Sequence, residues 1–170
     1  MKYGVMSHLS GDEGILMIDK YERENDPNSG LFTLPGGKLK DYEMGLSTPR
    51  GRLESAVRET EEETGLTLIN PVLKGVVLFN NHGRIFDKWK NPEDFLVYIF
   101  SAEEYTGTLK IETEEGVPLW VKKNDLQRVP KNIGDERIYE WLTDGRNFVG
   151  VIKHKGKVLD EQGTFVDYLD

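Results

Sequence analysis

The chain has 170 residues, 37% of them hydrophobic and 31% charged, which suits one domain with a sizeable core and excludes a disordered polymer. It contains no cysteine, so disulfides, thiolate metal sites and cysteine nucleophiles are excluded. The net charge of −8 argues against a nucleic acid polymer as partner, because the longest basic cluster, Arg146 to Lys157, is diluted with apolar residues.

The N-terminus, Met1 to Met6, leads straight into a strand-like segment with no signal-peptide pattern. No apolar run approaches the roughly 18 residues of a membrane span, so no membrane contact and a cytoplasmic location are expected. Strands are predicted at Tyr3–Leu9 and Ile15–Tyr21, with Ser10 to Gly14 as the hairpin turn between them. A long irregular stretch follows, through Asn25 to Gly30, Leu34-Pro35-Gly36-Gly37-Lys38 and Lys40 to Gly45. So many loop residues in a small domain point to functional or mobile loops.

A helix is predicted from Pro49 to Thr64, with Thr48 as N-cap and Gly65 as its stop. Further strands are predicted at Val72–Asn81, Phe95–Ser101, Gly107–Glu112, Val117–Val121 and Phe148–Lys153. A short turn falls near Asp125–Arg128, and a second helix runs from about Gly134 to Thr143. Many strands with two helices predict an α/β fold, a mixed sheet with helices packed on it.

The first helix carries the chemistry. At about 100° per residue, Glu59, Glu62 and Glu63 share an arc of roughly 100°. Leu53, Ala56, Val57, Thr60 and Thr64 form the adjoining core stripe, while Glu54 and Glu61 face solvent. Three carboxylates on one turn repel one another, and a divalent cation removes that penalty. A lone acidic run is more often a solvated face. Here, however, a Pro-Gly-Gly-Lys loop precedes it, and glycines let a backbone approach a metal or phosphate closely. Arg58, four residues before Glu62, is placed to hold a carboxylate.

Gly37 and Glu43, then Arg58-Glu59-Thr60-Glu61-Glu62-Glu63-Thr64-Gly65-Leu66, resemble the box of the Nudix superfamily, G-x5-E-x7-R-E-U-x-E-E-x-G-U with U aliphatic. Thr60 stands at an aliphatic position. Fourteen residues separate Glu43 from Arg58 where the pattern has seven, and Arg50 occupies the place of the first glutamate. An insertion of seven residues in the loop and helix start accounts for this, and the segment from Lys38 to Thr48 is a candidate lid.

The resemblance implies a Nudix-type α/β/α sandwich and a magnesium-dependent hydrolase, with manganese as an alternative ion. It implies metal ligation by Glu59, Glu62, Glu63 and the Gly36 carbonyl, with Arg58 orienting the carboxylates. A further catalytic and metal-binding glutamate is expected just before a strand ending in Trp. Glu115, five before Trp120, fits best and Glu114 second, although both also read as an acidic turn.

Beyond the box the chain is similar to MutT/MutX-type triphosphate pyrophosphohydrolases. That similarity implies a base pocket with Asp135 at the start of the second helix and Phe79 as a stacking residue. Asp135 also reads as a first-turn helix acid, and Phe79 as core. Arg23, Lys38 or Lys20 would contact phosphates, though basic residues at strand ends are commonly just exposed. Asn132 and Thr33 stand where relatives that grip 8-oxoguanine carry Trp and Asn. His8, His82 and His154 are scattered and have no assigned role.

The leading expectation is hydrolysis of an oxidised or non-standard purine triphosphate, such as 8-oxo-dGTP, to monophosphate and pyrophosphate. The alternatives are cleavage of ADP-ribose, another nucleotide sugar or a dinucleoside polyphosphate, and a non-catalytic nucleotide-binding domain. Asn81 stands where ADP-ribose enzymes often show Pro, and no Tyr lies near there as in dinucleoside polyphosphate enzymes. A monomer or a homodimer is expected.

Overall fold

Alternation along two central strands sets the layers. In the computed structural model, which describes residues 1–40, 49–84 and 92–169, β1 (Lys2–Gly11) pairs parallel with β7 (Phe95–Ala102). On β7, Val97 and Ile99 enter one core, and Phe100, with Tyr98 packed beside it, enters another. Each core is closed by a helix. Ala56 and Leu53 of α1 (Pro49–Thr64) cover the Phe100 side. Ile138, Tyr139, Trp141 and Leu142 of α2 (Ile133–Asp144) cover the Val97 side. A strand presents successive side chains to opposite faces, so the two helices flank the sheet.

The other strands extend this frame. β2 (Gly14–Lys20) turns back antiparallel on β1 through Asp12 and Glu13, with Gly11 opposite Gly14. β3 (Phe32–Thr33) pairs with β2, and β4 (Gly36–Lys38) pairs antiparallel with β1. β5 (Leu66–Ile69) forms a small separate sheet with β8 (Glu104–Gly107). β6 (Val72–Arg84) lies between β7 and the parallel β10 (Asn147–Gly156). β9 (Gly116–Val121) pairs with β2, and the short β11 (Val158–Leu159) and β12 (Phe165–Leu169) pair with β10. The mixed sheet flanked by two helices is the expected α/β architecture.

α1 has the expected bounds. It stops at Gly65, whose φ of +82° suits glycine, and the Gly65 N–H donates to Glu61 O at 2.8 Å. Thr60 is fully buried, and its hydroxyl donates to Ala56 O at 2.8 Å. A threonine thus serves at the aliphatic position without leaving a buried polar group unmade.

The strand expected at Gly107–Glu112 is corrected. The strand there is β8, and residues 108–112 leave it because Gly107 turns at φ +95°. The Lys110 N–H then caps Thr64 O at the end of α1. Part of the stretch read as irregular also proves to be strand, since β3 and β4 are held by their partners. The short turn expected near Asp125–Arg128 is present, with the Arg128 N–H donating to Asp125 O at 2.9 Å, and a 3-10 turn at Lys123–Asp125 leads into it. Glu43, the Thr48 cap and most of the candidate lid lie outside the described residues.

Candidate active site

The site begins where β4 meets α1. A Cβ on Gly37 would sit 2.6 Å from a Glu59 carboxylate oxygen, so glycine here leaves that carboxylate its place and a larger residue would push it aside. The Gly36 N–H donates to Glu63 Oε2 at 2.8 Å. Arg58 pairs with Glu59 at 2.7 Å and Glu62 at 3.0 Å. The loop therefore holds one carboxylate and shields another, while the arginine fixes the first and the second of the three.

Burial pushes the Glu63 carboxyl up to about 8. The Gly36 N–H opposes that shift and the charge of Glu59 adds to it. A cation placed here would reverse the cost. The donor set, all carboxylate oxygen beside a glycine backbone, suits a hard divalent ion such as magnesium. Among the described residues no three His, Asp or Glu side chains already converge on a metal position. Arg58 and the Gly36 N–H hold the carboxylates instead.

Two cavities meet at these residues. One, of about 530 Å³, is lined by Glu59, Glu62, Glu63, Glu112, Glu114 and Glu115 with Lys110 and Thr113. The other, of about 580 Å³, shares Glu59, Glu63 and Glu115. It continues past Lys20, Arg23 and Lys38 to Phe79, Asn81, Phe95, Asn132 and Asp135. Glu62 lines only the acidic cavity, consistent with its side chain being 57% exposed against 14% for Glu59.

Glu115 stands at the junction. Lys20 reaches it at 3.2 Å and Arg23 at 3.0 Å. Arg23 also donates to the Glu114 carbonyl. Lys20 pairs with Asp26 at 2.7 Å. Burial works against the Lys20 ammonium, but its bonds to Asp26 and Glu115 outweigh that and raise its pKa. Glu114 lines the acidic cavity alone, whereas Glu115 lines both.

The structure brings Arg23, Lys38, Phe79 and Asp135 to one pocket from four distant parts of the chain. Phe79 is both core and wall. Asp135 is buried in the first turn of α2 and lines the same cavity. The Lys38 ammonium lies 5.6 Å from the centre of the Phe95 ring. His8 is half-buried outside the site, its pKa lowered to about 4 by burial and then by Lys123 and Lys74.

Sequence reasoning missed the loop at Asn25–Asn28 as pocket wall. The Asn132 amide donates to Pro27 O at 3.1 Å and to Asn28 Oδ1 at 2.9 Å, and Asp26 Oδ1 accepts from the Asn28 N–H. The turn-rich composition of that loop was the available signal. Nothing in the sequence pointed to Asn132 as its tether.

The sequence profile of the NUDIX domain matches residues 3–142. The chain belongs to the Nudix family. An uncharacterized Nudix hydrolase, YvcI of Bacillus subtilis, is 34% identical over 143 residues, covering 83% of this chain and 78% of that one. A MutT protein from Bacillus halodurans superposes with a TM-score of 0.75 at 25% identity over 98% of each chain. The Nudix domain of Shewanella oneidensis NrtR, solved with ADP ribose, gives a TM-score of 0.65 at 16% identity, over 84% of this chain and 86% of that one. At that identity the likeness is of fold alone. Nudix membership supports pyrophosphohydrolase activity on a nucleotide substrate. Among the described residues, no helix is long and apolar enough to cross a membrane.

Proposed function

We propose that this Nudix protein hydrolyses a nucleoside triphosphate, an oxidised or non-standard purine nucleotide such as 8-oxo-dGTP, to the monophosphate and pyrophosphate. The observation that carries the reading is the meeting of the two cavities. A mixed pocket of a size that accepts a nucleotide opens at Glu59, Glu63 and Glu115 onto an acidic cavity.

Each residue has a defined task in that reading. Phe79 offers an aromatic wall to a base, and Asp135 offers an acceptor. Lys20 and Arg23 lie between that end and the acidic cavity, where phosphates would exchange with Glu115 as their partners. Glu59, Glu62 and Glu63 would hold magnesium or manganese, with the Gly36 backbone beside them. The ion supplies neutralisation of phosphoryl charge and acidification of a bound water. Arg58 keeps two of the carboxylates in place. Glu115 accepts the proton of the attacking water, a new P–O bond forms, and the anhydride bond to pyrophosphate breaks.

A panel of triphosphates, oxidised triphosphates, ADP-ribose, nucleotide sugars and dinucleoside polyphosphates, incubated with magnesium, tests the proposal by its products. Pyrophosphate released selectively from a purine triphosphate is the expected result. Turnover of ADP-ribose alone overturns the substrate, and no turnover of any member overturns the activity.

A further inference from the structure

Asn81 extends the buried face of β6 that begins with Val77 and Phe79. It is 3% exposed and lines the larger cavity. Its surroundings settle which way the amide points. The Nδ2 group donates to Glu93 O at 2.9 Å, a bond that only the amide nitrogen can make. The Asn81 backbone N–H is separately committed to Asp94 Oδ1 at 2.7 Å. The side-chain carbonyl therefore faces away from Glu93, and it accepts no hydrogen bond among the described residues.

A buried acceptor left unmade costs about 1–3 kcal/mol, and native folds rarely keep one without a use. Asn81 lines the larger cavity, so a ligand seated there is placed to supply the donor. Phe79 and Asp135 line the same cavity, and a Cβ on Gly134 would lie 3.2 Å from the Phe79 ring, so the start of α2 packs on that ring. An amide carbonyl and a carboxylate in one pocket make an acceptor-rich lining, which selects a base edge that donates. A guanine-type edge sets a ring N–H beside an exocyclic amino group, whereas the adenine edge sets a ring lone pair beside its amino group.

We propose that Asn81 is a specificity-determining residue whose side-chain oxygen accepts a hydrogen bond from the edge amino group of a guanine-type base. The assignment rests on the nucleotide reading of the cavity and adds a residue to it. It also gives a physical meaning to an asparagine that no box position requires.

The test removes the donor from the ligand and the acceptor from the protein in turn. Hydrolysis of dGTP and dITP, which differ by the 2-amino group, is compared as kcat/KM. Binding of dGMP and dIMP is compared by calorimetry without metal. Wild type favours the amino-bearing nucleotide by about ten-fold in both readouts, and Asn81→Leu brings the ratio close to one. Where Asn81→Leu folds poorly, Asn81→Ala makes the same comparison, and a wild-type preference retained in it overturns the assignment. Discrimination in binding with no hydrolysis of any triphosphate upholds Asn81 and overturns the proposed activity. Hydrolysis with no preference between dGTP and dITP upholds the activity and overturns Asn81. An equal preference in wild type and a folded Asn81→Leu also overturns it, as does the absence of discrimination in both readouts.

Discussion

The two cavities that meet at Glu59, Glu63 and Glu115 are similar in size and different in make-up. The smaller is walled by six glutamates, one lysine and one threonine, whereas the larger sets its six acids among three basic groups, four amides, two aromatic rings and aliphatic side chains. Four of the acidic wall's residues, Glu112 to Glu115, come from one turn, and three more from one face of one helix. The mixed wall is assembled from β1, β2, β3, the loop at Asn25–Asn28, β4, β6, β7 and α2, besides the α1 glutamates it shares. A local cluster built for charge suits chemistry shared across a family. A wall gathered from many elements suits selection, because each contribution can change without disturbing the others.

The sharpest way to break this division is to neutralise a group in the acidic wall and ask whether recognition survives. Glu63→Gln is expected to lower hydrolysis by about a thousand-fold, several kcal/mol of transition-state stabilisation. Binding of a nucleoside monophosphate without metal should stay within a few-fold of wild type. Steady-state rates at saturating magnesium, with calorimetry alongside, check both halves. A retained rate, or a parallel loss of monophosphate binding, removes the distinction between the walls.

Glu115 belongs to both cavities and gives a smaller effect. Glu115→Gln should slow turnover by about a hundred-fold, in the range of a lost general base. Glu114→Gln, which changes the acidic wall alone, should stay within a few-fold. Single-turnover rates of the two variants decide between them, and the reverse ranking would move the base to Glu114.

The smallest effect is on stability. The Glu63 carboxyl titrates near 8 in the folded protein, above its ordinary value of 4.5. The folded state therefore keeps a proton that the unfolded chain releases between those values. The stability from this group is full below about pH 4.5 and is lost as pH rises through about 8. In metal-free protein the melting temperature is expected to fall by a few degrees across that window relative to Glu63→Gln. Magnesium should recover most of it at pH 8, because the ion favours the carboxylate form. A difference between the two proteins that does not vary with pH would contradict the burial of Glu63.

The same contrast governs what could be read in advance. α1, its bounds and its faces were legible, because a helix writes its geometry into nearby residues. Arg58 meets Glu62 at the expected spacing, and Glu54 and Glu61 are exposed. The hairpin at Asp12–Glu13 and the long strands were legible for the same reason. β3, β4 and β11 were not, since two or three residues carry no period and owe their form to a partner strand. The mixed wall was half legible. Phe79 and Asp135 came through the family resemblance, while Asn81 and Asn132 gained meaning only from what their amides touch. Thr60 departed from the family pattern in sequence and conforms to it in space, because its hydroxyl is absorbed by the helix.

The most direct test of the acidic wall is the binding of manganese to nucleotide-free protein, followed by electron paramagnetic resonance. The account predicts at least one bound ion in wild type, an affinity that rises from pH 6 to pH 8, and at least about ten-fold weaker binding in Glu63→Gln. Equal manganese binding by wild type and Glu63→Gln would contradict it.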